Sequence, residues 1–382
     1  MNARGVALIG CGNIGINQHI PAWLERPNGY HLAAVADPDP RRREAARRVA
    51  GLAPEDALDG LDAVLARPDI GVVDLSVPPG LRLELVRRAA GAGKHILTEK
   101  PLATTPAAAE AMVEICRAGG VTFGVVHNYL FFPELVAARA LIDSGAIGDV
   151  EVAILNYLGC ADNPGAAEYI PAWRKNPEMS GGGVLMDLLH VVYVAESLLG
   201  RPIDAASAYV TARSHGGVEE IASCRFETRD AVALVNVGWG HGPGGIDVSG
   251  SHGRLAIRYR GGGTSPFAPF ESLELTTPAG TTRIEVPAPT GFLSPVTADF
   301  TAALATGTRP AATGEDALRV LEATVAAYAS AASGATVALP LDRADPAFTD
   351  GVLGLSRRPI SPRGAVARLG LFGVSGQDPV PA

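Results

Sequence analysis

Over the first 145 residues, short apolar runs alternate with amphipathic stretches. The runs at Val6–Ile9, His31–Ala36, Val72–Leu75, His95–Thr98 and Val121–Val126 have the length of buried strands and are bounded by turn residues. Between them, apolar positions recur at helical spacing near Ile14–Arg26, Pro40–Ala50, Leu81–Ala92, Ala107–Arg117 and Pro133–Ser144. Strands that alternate with helices in this way predict a parallel sheet covered on both faces.

After Asp149 the pattern changes. Strand-like runs at Val152–Tyr157, Ala205–Ala212, Ile221–Glu227, Ala231–Trp239, Arg254–Tyr259, Leu273–Thr276 and Arg283–Val286 follow with few helices between them. Their separators, such as His241–Gly245 and Gly261–Pro269, are rich in Gly, Pro, Ser and Thr. This predicts an α+β region with a large, mostly antiparallel open sheet. One helix is expected from about Val184 to Leu199, and two more near Pro295–Thr306 and Glu315–Ser333. One sheet face must bury itself against helices. The other is expected to carry Val232, Leu234 and Val237, an apolar patch of the kind that marks a protein interface. A homodimer or homotetramer built sheet to sheet is therefore expected. Residues 342–382 show little periodicity and read as an irregular C-terminal extension.

Composition narrows the class. The chain has 382 residues, 47% of them apolar and 19% charged, which fits a globular protein with a sizeable core. Its net charge of −8 disfavours nucleic acid as a partner. No run reaches the roughly 20 apolar residues of a membrane span, so no membrane partner is expected. The N-terminal apolar run is too short for a signal peptide and reads as a first strand. Cys11, Cys116, Cys160 and Cys224 form no C-x-x-C pair, which predicts buried small hydrophobes in a reducing, cytoplasmic setting. No cluster of His, Cys, Asp and Glu has metal-ligand spacing, so no metal is expected.

Chemistry begins at Gly10-Cys11-Gly12-Asn13-Ile14-Gly15, directly after the first strand and opening a helix. The first glycine permits a tight turn, the second lets backbone approach a pyrophosphate, and the third lets helix and strand pack closely. Free N–H groups at the helix start suit phosphate. Gly10, Gly12, Asn13, Ile14 and Gly15 are thus candidate cofactor-binding residues. Asp37 ends the second strand, where a carboxylate accepts from adenosine ribose hydroxyls and repels a 2′-phosphate; this favours NAD over NADP. The alternative role for Asp37 is to cap the helix that follows. Arg41, with Arg42, stands close enough to leave NADP as the second choice. Ser76 and Pro78 follow the third strand and are further cofactor candidates. The division is then a Rossmann domain over 1–128, an α+β substrate-binding and oligomerisation domain over 129–341, and the extension over 342–382.

With these residues in place the chain resembles the Gfo/Idh/MocA oxidoreductases, which include glucose–fructose oxidoreductase and inositol 2-dehydrogenase. The resemblance rests on Gly93-Lys94-His95-Ile96-Leu97-Thr98-Glu99-Lys100-Pro101-Leu102 and on Trp173-Arg174. It rests also on Gly181-Gly182-Gly183-Val184-Leu185-Met186-Asp187 with His190, and on Gly314-Glu315-Asp316-Ala317. It implies that Lys100 binds the hydroxyl being oxidised beside the nicotinamide, that His190 is the general acid/base, and that Asp187 orients the histidine or binds a neighbouring hydroxyl. It implies that Glu99 holds the nicotinamide ribose and that Asn128 lines the site. Two departures stand out: Asp187 and His190 are three apart where the family has four, and Arg82 stands near where the family often has a histidine.

The residues alone support the same chemistry. Oxidising a secondary alcohol needs a positioned base, and a lysine cation stabilises the developing alkoxide. Asp187 and His190 at i,i+3 of one helix would share a face, and an imidazole near its ordinary pKa of about 6.5 suits proton transfer at neutral pH. The expected activity is NAD-dependent oxidation of a sugar, glycoside, aminosugar or cyclitol. Tyr157, Trp173 and Arg174 are expected to line its polar site with Lys100, Asn128, Asp187 and His190; Asn156, Asp162 and His241 are further candidates. The alternatives are glycoside cleavage or hydride exchange with tightly held NAD, and a non-catalytic sugar-sensing regulator.

Overall fold

The computed structural model describes residues 4–160, 172–211, 218–240, 242, 244–259 and 270–357. Among these, a six-stranded parallel sheet comes first. It consists of β1 (Gly5–Ile9), β2 (His31–Ala36), β3 (Ala57–Leu58), β4 (Ile70–Leu75), β5 (His95–Thr98) and β6 (Phe123–Val125), in the order β3-β2-β1-β4-β5-β6. The helices that follow these strands in turn are α1 (Ile20–Leu24), α2 (Pro40–Ala50), α3 (Leu61–Leu65), α4 (Arg82–Gly91), α5 (Pro106–Ala118) and α6 (Pro133–Asp143). Local chemistry sets their limits. Asp39 caps α2 by accepting from Arg41 N–H at 2.8 Å, Pro40 occupies its first turn, and Gly51 ends it at φ 67°. The cap of α2 is therefore Asp39, not Asp37. β3 and α3 lie outside the predicted elements because two and five residues are too short to show a period.

The predicted helix Ile14–Arg26 divides into a π-helical turn, Gly15–His19, and α1. Pro21 has no N–H to give to the residue four before it, and the turn ahead of it widens.

The second sheet is built from β7 (Val150–Cys160), β8 (Ala205–Thr211), β9 (Ile221–Glu227), β10 (Val232–Trp239), β11 (Gly244–Gly250), β12 (Gly253–Tyr259), β13 (Phe270–Thr277), β14 (Gly280–Ile284) and β15 (Val337–Ala338). The order is β14-β13-β12-β11-β7-β10-β9-β8-β15, and only the β7–β10 pair is parallel. β11 falls where the sequence pattern reads as a separator. Its glycines hide it: a Cβ on Gly244 would collide with the Tyr259 ring. The inner face, with Leu155, Val235, Val237, Val248 and Ile257 all buried, packs on helices, each such side chain contributing ~1.5–3 kcal/mol. Val237 therefore lies on the inner face, not on the outer face with Val232 and Leu234, because inward residues alternate at 233, 235 and 237. Leu234, Ile154 and Tyr209 are the exposed large apolar residues of the outer face.

The helix expected over Val184–Leu199 is broken. After α7 (Pro177–Ser180) come α8 (Val184–Asp187) and α9 (His190–Leu199), and the stretch Pro177–Asp187 meets α9 at 48°. The break lets Leu188 and Leu189 both bury. α10 (Ser294–Thr306), α11 (Gly314–Ser333) and α12 (Pro346–Asp350) follow. A reciprocal capping box between Thr313 and Asp316 opens α11. Residues after 342 are not wholly irregular: Ala347, Phe348, Val352 and Leu355 bury themselves where α12 and the turn Gly351–Arg357 pack against α5 and α11. Among the described residues no single helix is long and apolar enough to cross a membrane.

Candidate active site

Parallel strands bring Gly10, Asp37, Ser76, Glu99 and Val126 to one edge of the first sheet, the edge where ligands collect in such folds. Gly10 takes φ 98°, and a Cβ there would collide with Ser76 O; a Cβ on Gly15 would collide with Gly10 O. Nothing lies within 4 Å of the place where a Cβ on Gly12 would stand, so backbone is open there to a phosphate. Asn13 and Ile14 lead into the π turn, and Asn13 Oδ1 accepts from Asn17 Nδ2 at 2.6 Å. Asp37 is buried, its carboxylate accepting from Cys11 N–H at 2.8 Å and Asp39 N–H at 2.9 Å. Each oxygen keeps a lone pair for a ribose hydroxyl. Arg41 lies in the first turn of α2, and Pro78 precedes the turn that leads to α4. Cys11, Cys116 and Cys224 are buried free thiols; burial, then the Asp37 charge, pushes the Cys11 thiol up to about 12.

Lys100 follows β5. Its Nζ donates to Asp187 O at 2.7 Å and lies 3.9 Å from Asp187 Oδ1. The turn that carries it is held from beneath by Arg82, a fully buried guanidinium. Arg82 donates to Val77 O at 3.0 and 2.8 Å, to Lys100 O at 3.4 Å, and to the carbonyls of Glu99 and Pro101. Asn128 is buried and its Nδ2 has no partner, a donor that suits a carbonyl or hydroxyl oxygen of a bound nicotinamide ribose or carboxamide.

His190 opens α9 and is 5% exposed. Its Nδ1 lies 2.7 Å from Tyr193 Oη, and its ring stacks on Tyr129 at 4.2 Å. Tyr193 Oη also accepts from Tyr129 N–H at 3.1 Å. The phenol has one proton and two lone pairs, so beside the Tyr129 N–H it either donates to Nδ1, which puts the proton of the neutral imidazole on Nε2, or accepts from Nδ1–H. Burial, then the charges of Lys100 and His127, holds the His190 imidazole well below its usual range. The expectation of an ordinary pKa is corrected accordingly. His127 stacks on Tyr193 at 4.2 Å, and burial takes its imidazole down to about 4.

Asp187 forms no hydrogen bond or ion pair with His190. The break after α8 separates them, and Asp187 pairs with Arg174, accepts from Trp239 Nε1 at 3.3 Å and faces Lys100. Arg174 lies over the Trp239 ring at 5.9 Å. Trp173, beside it in the turn Ala172–Lys175, is half-buried. Tyr157 is buried with its hydroxyl against that of Tyr129. Asn156 points to the outer sheet face, where it accepts from Asn236 Nδ2 at 2.8 Å, so it is not brought to the site. Asp162 and His241 lie outside the described residues.

Reasoning from sequence missed Tyr193, Tyr129, His127 and Trp239, whose aromatic character reads as core. It missed also Glu219, which is fully buried. The Glu219 carboxylate accepts from Gly183 N–H at 2.8 Å, Leu185 N–H at 2.9 Å and Tyr328 O–H at 2.6 Å, and so fixes the glycine turn ahead of α8. Burial, opposed by these bonds, pushes it up to about 7. Among the described residues no group of three or more His, Cys, Asp or Glu could hold a metal ion.

Residues 4–127 match the family model described as oxidoreductase family, NAD-binding Rossmann fold, and residues 135–256 match the GFO/IDH/MocA C-terminal domain. The chain is 30% identical to dTDP-3,4-didehydro-2,6-dideoxy-α-D-glucose 3-reductase of Streptomyces violaceoruber over 57% of its own length and 61% of the relative's, so it spans less than two thirds of that protein. It is 28% identical to D-apiose dehydrogenase of Paraburkholderia graminis over 92% of its length and 94% of the relative's. The crystal structure of aldose-aldose oxidoreductase from Caulobacter crescentus with glycerol superposes with a TM-score of 0.78 at 26% identity, covering 88% of this chain and 99% of that one.

Proposed function

Because the chain belongs to the Gfo/Idh/MocA family of oxidoreductases, whose N-terminal domain is an NAD-binding Rossmann fold, we propose that it is an NAD-dependent dehydrogenase of a secondary hydroxyl on a sugar or sugar derivative. The observation that carries this reading is the convergence of Lys100, His190 and the Arg174–Asp187 pair beside the dinucleotide edge. Relatives that act on D-apiose and on a dTDP-linked deoxysugar support the substrate class.

Gly10, Gly12, Gly15, Asp37, Glu99 and Asn128 would hold NAD, whose nicotinamide supplies the hydride acceptor. Lys100 binds the substrate oxygen and, having first released its own ammonium proton to solvent, takes the hydroxyl proton. His190, neutral and carrying its proton on Nε2, donates to that same oxygen and stabilises it as it gains charge. In the reducing direction Lys100 returns the proton. Arg174 and Asp187 offer neighbouring hydroxyls a donor and an acceptor, and the indole of Trp239 holds Asp187 in place.

The test is an NAD-reduction screen across aldoses, glycosides, aminosugars, cyclitols and nucleotide sugars. Substrate-dependent accumulation of free NADH is expected. Sugar consumption without free NADH would instead support hydride exchange on a retained cofactor, the reading that the aldose-aldose oxidoreductase neighbour favours. Turnover of nothing by an NAD-binding protein would leave the sugar-sensing role. The outer face of the second sheet, with Ile154, Leu234 and Tyr209 exposed, is proposed as the contact between copies of the chain.

A further inference from the structure

His19 is fully buried in the first domain, and nothing in the mechanism above uses it. It ends the π turn that follows the glycine loop. Its Nδ1 lies 2.7 Å from Asp74 Oδ2 and its Nε2 lies 3.3 Å from Glu99 Oε1. Asp74, on β4, is also wholly buried, and its Oδ2 accepts a second bond from Trp23 Nε1 at 2.7 Å. The other oxygen of Glu99 accepts from Lys100 N–H at 3.0 Å. A continuous path therefore runs from the phosphate-binding turn through one imidazole to the carboxylate and backbone of the strand end that presents Lys100.

The charges fit this path. Burial alone would lower the His19 pKa, but the Asp74 carboxylate and the bonds to Asp74 and Glu99 push it up to about 10, so both ring nitrogens carry protons and both donate. Burial would raise Glu99, but the His19 bond and the charges of His19, Lys100 and Arg82 keep it below the ordinary range. A buried charge persists only when it is paired and hydrogen-bonded. Asp74 pairs His19 from β4, and the Glu99 contact holds only while the glycine-loop helix and the β5 end keep their present spacing, so movement of either is felt by the other.

We propose that His19 is a positioning residue that couples the dinucleotide-binding turn to Glu99 and Lys100, so that seating the cofactor sets the catalytic lysine. It touches neither substrate nor the reacting atoms, and it acts through Glu99. The proposal rests on the dehydrogenase reading for what Lys100 does, but its test needs no substrate. The chain has only three lysines, Lys94, Lys100 and Lys175, so lysine labelled with 13C at Cε gives three signals that Lys→Arg variants assign. NADH is titrated into wild type, His19→Gln and His19→Ala, with binding followed by NADH fluorescence and Lys100 by its signal. In wild type NADH should shift the Lys100 signal. In His19→Gln, which keeps one donor, the shift should shrink at saturating NADH; in His19→Ala it should vanish, with NADH binding weakened by about tenfold or less. A purely stabilising role would lower Tm and leave the Lys100 response intact, and that result would overturn the proposal. Should His19→Ala fail to fold, a full wild-type response in His19→Gln has the same force. Absence of NADH binding to wild type would instead overturn the dehydrogenase reading.

Discussion

The hydroxyl of Tyr193 lies 2.7 Å from His190 Nδ1 and accepts from the backbone N–H of Tyr129. A phenol thus stands where a carboxylate would have favoured an imidazolium, and burial together with the Lys100 charge completes the bias toward a neutral ring. In the proposed mechanism Tyr193 donates to Nδ1, and Tyr193→Phe removes that partner and leaves the tautomer unset. The lost hydrogen bond is worth about 0.5–1.5 kcal/mol, so kcat should fall by roughly 2- to 10-fold, with NAD affinity and Tm nearly unchanged. Steady-state kinetics on a substrate found by the screen, with NADH fluorescence titration as control, checks this.

If His190 Nε2–H donates and Lys100 carries the proton, the two residues respond differently to substitution. His190→Gln keeps an amide donor and should retain at least tenfold more kcat than His190→Ala. Lys100→Met should lower kcat by ~10²-fold or more, about 2.7 kcal/mol of barrier. Because the His190 pKa lies well below 6.5, wild type should show no limb in log kcat near pH 6.5 from this residue. A limb near 6.5 that disappears in His190→Gln would return the imidazole to the role of base.

Asp37 carries two backbone bonds besides the ribose contact proposed for it. Removing the acceptor of the buried Cys11 N–H costs about 1–3 kcal/mol, and the part-buried Asp39 N–H loses its partner as well. Asp37→Ala should therefore lower Tm as well as weaken NAD binding about tenfold, and improve NADP relative to NAD. Calorimetric titration with both cofactors, beside thermal melts, separates the two effects.

Much of this architecture is legible in the sequence, because burial writes itself as periodicity. β2, β5, β9 and α2 have the limits that their apolar pattern and flanking turn residues predict. What escapes is where local pattern and tertiary demand part. Gly244, Gly245 and Gly250 make β11 read as a loop, although Ile246 and Val248 point into the core. The pattern through Val184–Leu199 is helical throughout, and nothing local shows that Asp187 turns toward Arg174 while His190 turns toward Tyr193. The glycine loop and Asp37 can be picked out at strand ends, and Lys100 and His190 by the family motifs that carry them. His19, Asp74 and Glu219 cannot, since each is a buried charge defined only by partners distant in sequence.

The outer sheet face offers a test of assembly. Leu234 pairs across strands with Ile154 and Arg225, so its exposed side chain sits centrally on that face. Placing a charge there in both copies would bury like charges against an apolar surface. Leu234→Glu should shift a dimer or tetramer toward monomer in light scattering at micromolar concentration, without loss of the folded circular-dichroism spectrum. A wild type that is already monomeric would remove this face as a contact.

Glu219 makes stability depend on pH in an unusual direction. Its folded pKa, about 7, stands above the ordinary value of 4.5. The folded state therefore holds a proton that the unfolded chain has released between those values, and stability falls as pH rises from about 4.5 to about 7. Below 4.5 both states are protonated and the contribution is complete; above 7 both are ionised and it is lost. A tenfold difference in proton affinity between the two states corresponds to about 1.4 kcal/mol, so the change amounts to a few kcal/mol at most. Glu219→Gln keeps one oxygen acceptor but removes the titration. Its melting temperature, measured from pH 4.5 to 8, should decline less with pH than that of wild type. Below pH 4.5 the variant should be no more stable than wild type, since the protonated acid already satisfies the glycine turn at Gly183 and the Tyr328 hydroxyl. Parallel curves for the two proteins would show that the carboxylate is ionised throughout, its charge balanced by the hydrogen bonds it receives.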